Sequence, residues 1–155
     1  MNKLTRLIQC ILIPLLVGGI SGYYTATSIT NWFVTLNKPS FNPPNYLFGP
    51  VWTLLYILMG VSIYIALNKS KAENKNKIIF VFAFQLILNF IWSFIFFKYH
   101  NLGLAFIEII LMWFSIVYMI FIFYKTSKIA ALVNIPYLVW VSFASVLNGA
   151  IWYLN

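Results

Sequence analysis

Five stretches of this chain, residues 7–29, 47–67, 78–97, 104–124 and 129–154, are long and almost free of charge. A helix of roughly 20 apolar residues spans the hydrocarbon core of a bilayer, so each stretch is long enough to cross it. Only the fourth holds a charged side chain, Glu108. The runs are continuous, whereas a barrel strand would alternate in hydrophobicity over about 10 residues, so the spans are helices. Composition agrees: 63% of the residues are apolar and 8% are charged, against about 25% charged in ordinary soluble domains. The expectation is an all-α membrane protein, a single domain over residues 1–155 built as a bundle of five transmembrane helices.

The net charge of +8 does not indicate a nucleic-acid partner once its placement is considered. Lys3 and Arg6 precede the first span, Lys69, Lys71, Lys75 and Lys77 lie between the second and third, and Lys125 and Lys128 between the fourth and fifth. In an alternating topology these all fall on one side, and only Lys38 and Lys98 fall on the other. The positive-inside rule then puts the N-terminus inside and the C-terminus outside, with anionic lipid headgroups as an added partner for the basic side. The first span is too long for a signal-peptide core. Cys10, the one cysteine, reads as a small buried apolar residue.

The connections between spans are short enough to join antiparallel neighbours. The exception is the first outside connection, residues 30–46. Pro39, Pro43 and Pro44 forbid helix there and favour an ordered, extended cover. Pro50 falls in the opening turn of the second helix, where its missing N–H costs nothing. Trp32, Phe33, Phe41, Tyr46 and Phe48 make the segment aromatic as well as stiff. This suits a lid over the bundle mouth; the alternative is an interfacial aromatic belt.

Polar groups within the spans are informative because lipid offers them no partner. Gln85 and Asn89 share a face of the third helix, with Trp92 and Ser93 a turn further out. Trp140, Ala144, Asn148 and Trp152 recur every four residues on the fifth, and Trp52, Tyr56 and Gly60 on the second. The topology brings these groups to the outer half of the bundle, beneath the proline loop. An aromatic cavity with a few amides suits a flat, largely apolar ligand. The amides serve equally as interhelical hydrogen bonds, and Gly18, Gly22 and Ala26 as a helix-packing or dimerisation stripe. Glu108, about one turn inside the outer boundary, is expected to accept structural hydrogen bonds rather than to carry protons.

Enzyme templates fit poorly. The chain has no Asp, and its two acids, Glu73 and Glu108, are predicted on opposite sides of the membrane. No carboxylate pair, His-based triad or metal site is therefore expected. His100, alone in an outside turn, is at most a remote candidate for haem ligation.

The segments "WFVTLNKPSFNPPNYLFGPVWTLLYILMG", "QLILNFIWSFIFF" and "IPYLVWVSFASVLNGAIW" resemble the translocator protein family (TspO/MBR, the tryptophan-rich sensory proteins, also known as the peripheral-type benzodiazepine receptor). Order, spacing and the five-span plan agree over nearly the whole chain. The resemblance implies a homodimeric bundle that binds porphyrin, as protoporphyrin or haem, beneath the first loop, and requires no cofactor. The implied ligand-binding residues are Phe33, Trp52, Tyr56, Asn89, Trp140 and Ala144. Asn148 joins them from the stripe it shares with Trp140, and Lys38, Pro39, Pro43 and Pro44 form the lid. Two departures stand out. Phe33 lacks the hydroxyl that is frequent at that position, and no cation follows Tyr153, which argues against a sterol partner. Transport or sensing of a tetrapyrrole is the leading reading. Light-dependent porphyrin breakdown and a purely structural or assembly role are the alternatives. A bacterial cytoplasmic membrane is the expected location.

Overall fold

The computed structural model describes residues 2–155 and is all helical, with no strand among them. Five helices or helix pairs are long and apolar enough to cross a membrane. They comprise α1 (Lys3–Asn31), α2 (Phe48–Lys69), α3 (Lys75–Ser93), α4 (Leu102–Thr126), and the pair α5 (Lys128–Leu132) and α6 (Ile135–Leu154). α1 packs mainly on α2, α3 on α4, and α4 on α5 and α6, while α3 and its extension return to α1. The order around the bundle is therefore α1, α2, α5/α6, α4, α3. The short turns bring the eight cations named above to one end.

The fifth span is not the continuous helix expected over 129–154. It breaks at Val133 and Asn134, because Pro136 cannot donate to the carbonyl of Leu132 and its ring clashes there. Asn134 compensates for the break. It is fully buried, and its side-chain amide donates to the Ala130 carbonyl at 3.0 Å and to the Ser62 hydroxyl. Ser62 donates to the same Ala130 carbonyl at 2.8 Å, which ties α2 to the break.

A second proline is absorbed differently. Pro14 lies inside α1 without ending it, and it leaves the carbonyl of Cys10 without its usual donor. Gly60 of α2 comes against that carbonyl. A Cβ on Gly60 would lie 2.7 Å from Cys10 O and 2.5 Å from Ile11 Cα. A glycine is needed at Gly60 because the two backbones touch. With lipid outside the bundle, such close packing and interhelical hydrogen bonds replace the hydrophobic effect as the cohesive forces.

α3 ends in a π-helical turn, Phe94–Lys98. The Ser28 hydroxyl of α1 donates to the Phe97 carbonyl in that turn. The first outside connection is less extended than its prolines suggest. α1 runs to Asn31, and 3-10 turns occupy Phe33–Thr35 and Asn45–Leu47, leaving 36–44 as the irregular part.

Candidate functional site

The centre of the bundle is crossed by a chain of hydrogen bonds from three helices. Tyr56 of α2 donates through its hydroxyl to Asn89 Oδ1 at 2.6 Å. Asn89 Nδ2 of α3 donates to the hydroxyl of Tyr137 at 3.1 Å, and Tyr137 of α6 donates to Gln85 Oε1 at 2.9 Å. All four residues are buried. In an apolar interior each group left unpaired is costly, so the chain sets the rotation of α2, α3 and α6 against one another.

Above this layer lies a cavity of about 650 Å³, within the roughly 300–1,000 Å³ usual for small-molecule sites. Trp52 lies over Tyr56 at 5.7 Å between ring centres and meets Tyr137 edge-on at 6.3 Å. Trp140 meets Phe48 edge-on at 6.2 Å. Trp92 stacks on Phe96 at 5.2 Å and donates from Nε1 to Asn148 Oδ1 at 3.2 Å. Asn148 in turn donates to the Leu102 carbonyl at 3.1 Å, so both ends of its amide are engaged. Phe33 is buried under the loop and closes the outer end, within 6.3 Å of the rings of Phe48, Phe96 and Phe97. Among the described residues, no charged side chain lines the cavity.

The cavity opens sideways. α1 and α2 touch at Gly60 and again at Gly18, where a Cβ would lie 2.2 Å from Tyr56 Cε2. Further out they part: Gly19, Gly22 and Gly49 have nothing within 4 Å of their Cβ positions. These glycines, with Ala26 and Thr53, line the cavity and are exposed. The small residues of α1 therefore border a slot rather than a tight helix contact, except at Gly18.

The loop is fastened on the opposite side. The backbone N–H of Asn37 donates to Asn155 Oδ1 at 3.0 Å, and Asn155 Nδ2 donates back to the Asn37 carbonyl at 2.9 Å. Phe41 meets Phe143 of α6 edge-on at 6.3 Å. Lys38 turns inward on its own loop, donating to the carbonyls of Phe33 and Leu36, both at 2.9 Å. His100 stacks on Trp32 at 3.9 Å, away from the cavity.

Of the residues expected at a site, Phe33, Trp52, Tyr56, Trp140, Ala144 and Asn148 line the cavity. Asn89 does not: both halves of its amide are spent beneath the floor, where it positions Tyr56 and Tyr137. Lys38, Pro39, Pro43 and Pro44 are also absent from the walls, and the Lys38 ammonium is occupied by loop carbonyls. Glu108 differs from the expectation of structural hydrogen bonding. It is buried, and neither carboxylate oxygen has a partner among the described residues. Tyr137, Phe96 and Phe97 were not singled out from sequence, and Phe48, read there as part of the lid, lines the cavity. Tyr137 stands three residues before Trp140 and so shares its face; that spacing was the available signal.

The TspO/MBR family model matches residues 10–154. The chain is 41% identical over 153 residues to the tryptophan-rich protein TspO of Archaeoglobus fulgidus, covering 99% of each chain. It is also 41% identical over 157 residues to the protein of the same name from Chlorobaculum tepidum, covering 100% of this chain and 99% of that one. It is similar at 32% identity to the human translocator protein over 123 residues, 78% of this chain and 73% of the human one. With five membrane-length helices and a match of this extent, the chain belongs to the TspO/MBR family and is an integral membrane protein.

Proposed function

We propose that the cavity binds a flat, largely apolar ligand of the tetrapyrrole class, protoporphyrin or haem, and that the protein carries or senses it. The observation that carries this reading is a cavity of about 650 Å³ walled by Trp52, Trp92, Trp140 and four phenylalanines, with no charge in its lining. Such walls offer ring faces to a macrocycle, and aromatic pairs are worth about 0.5–1.5 kcal/mol beyond the area they bury. Relatives named translocator protein and tryptophan-rich sensory protein favour transport or sensing. Phe33 brings no phenol to the cavity, which favours holding the ligand over transforming it.

The lining also dictates orientation. An unpaired carboxylate inside would be strongly penalised, so propionates stay at the mouth and the uncharged part of the ring goes in. Ligand reaches the cavity from the bilayer through the slot between α1 and α2, while the loop clamped by Asn37 and Asn155 acts as the lid. The eight cations gathered at the far end give N-terminus-in, C-terminus-out insertion, in a bacterial cytoplasmic membrane. On the family resemblance the functional unit is a homodimer.

The test is a titration of detergent-solubilised protein with protoporphyrin, read by Trp fluorescence and porphyrin absorbance. Saturable binding is expected, weakened about threefold to tenfold by Trp52→Ala or Trp140→Ala without loss of the fold. The absence of any saturable change in the wild type refutes the reading. Unchanged affinity in both variants would place the ligand elsewhere.

A further inference from the structure

The polar side chains in the cavity wall differ in whether they are already satisfied. Tyr56 is committed to Asn89, and Asn148 to Trp92 and Leu102. Ser21, Thr25 and Thr53 each donate to the carbonyl four residues earlier in their own helices, the usual recourse of a hydroxyl within a helix. Ser93 does not. It is only 7% exposed, lines the cavity, and makes no hydrogen bond through its hydroxyl to any described residue. Unlike the orphaned Nε1 of Trp140, its oxygen is not sealed from the cavity space. It stands directly before the π-helical turn Phe94–Lys98, an irregularity common at functional sites.

A hydroxyl left free in this wall contributes nothing to the empty bundle. We propose that Ser93 is a specificity-determining contact of the cavity, donating its hydroxyl to a neutral acceptor, a carbonyl or ester oxygen, on the flat ligand. The inference rests on the tetrapyrrole reading and adds to it the polar point that orients the ligand. The acceptor is neutral because no charged side chain in the lining could balance an anion beside Ser93.

Two uncharged porphyrins separate the contact from simple ring stacking. Protoporphyrin dimethyl ester carries ester carbonyls, and etioporphyrin carries only alkyl groups. The wild type is expected to favour the ester by about threefold to tenfold, the scale of one hydrogen bond. Ser93→Ala is expected to lose that preference while binding etioporphyrin as before, with thermal stability unchanged. Ser93→Cys, of similar size but a weak donor, should lose most of it as well, and it serves as the test if the alanine variant misfolds. Ser93→Thr keeps the donor and should retain the preference. If the wild type binds both porphyrins equally, or if Ser93→Ala keeps the preference, the assignment of Ser93 is overturned and the tetrapyrrole reading stands. If the wild type binds neither porphyrin, nor protoporphyrin itself, both fall together.

Discussion

Gly18 and Gly22 lie one turn apart on α1 and look alike in sequence, yet their substitution by alanine should have opposite outcomes. A Cβ on Gly18 would sit 2.2 Å from Tyr56 Cε2, 2.4 Å from Cδ2 and 2.8 Å from Cζ. The ring would have to retreat by 1.2 Å, from 2.2 Å to the 3.4 Å at which ordinary contact begins. Retreat is blocked by Trp52 stacked at 5.7 Å and by the 2.6 Å hydrogen bond to Asn89. Overpacking of a tight site costs about 1–3 kcal/mol, and an interhelical hydrogen bond in a membrane protein about 0.6–1.7 kcal/mol. Gly18→Ala should therefore destabilise the bundle by about 2–4 kcal/mol. Reversible unfolding in mixed micelles measures it. Tyr56→Leu removes the obstructing ring, so the double variant should cost less than the two single changes added together. Gly22→Ala meets nothing within 4 Å and should unfold like the wild type. Equal losses for Gly18→Ala and Gly22→Ala would refute this account and return both glycines to a common packing or dimerisation stripe.

Three further expectations follow from particular contacts. Gly60→Ala should be worse than Gly18→Ala, because its Cβ would meet the Ile11 backbone at 2.5 Å and no side-chain rotation relieves that; folded yield after purification is the measure. Asn89→Leu leaves the hydroxyls of Tyr56 and Tyr137 short of a partner and should cost about 1–3 kcal/mol, with weaker protoporphyrin binding through a displaced Tyr56; unfolding and titration of the same sample separate the two effects. Glu108→Gln or Glu108→Leu removes a buried carboxylate that has no partner among the described residues and should hold or raise stability by up to about 3 kcal/mol; a clear loss would show that the carboxylate makes a stabilising contact in the membrane.

How legible the site was depended on whether a residue's role could be read along its own helix. Trp52 with Tyr56, and Trp140 with Ala144 and Asn148, share faces at four-residue spacing, and that spacing suffices to place them side by side on a wall. Asn89 has the same kind of signature and a different fate. Its amide is consumed by hydroxyls from two other helices, and nothing in "QLILNF" states what those helices bring. Lys38 is a similar case: it was expected in the lid, but carbonyls of the 3-10 turn at Phe33–Thr35 and of Leu36 take up its ammonium. Ser93 could be placed on the cavity face from its spacing, yet its lack of a partner is visible only when every neighbour is in position.

The chain by itself determined that this is a membrane bundle of five crossing helices with its cations gathered at one end. Span length, continuity and charge placement are local properties, and lipid makes them decisive because no backbone group may be left unpaired. It also located the irregular connection at the proline loop, whereas the break before Pro136 was seen only in the structure. Only the tertiary structure decided which polar groups would be consumed between helices and which left facing the cavity. It also decided that Gly60 and Gly18 close α1 against α2 while Gly22 and Gly49 leave them apart. Those outcomes depend on the rotation and separation of helices, and no single helix carries that information in its own sequence.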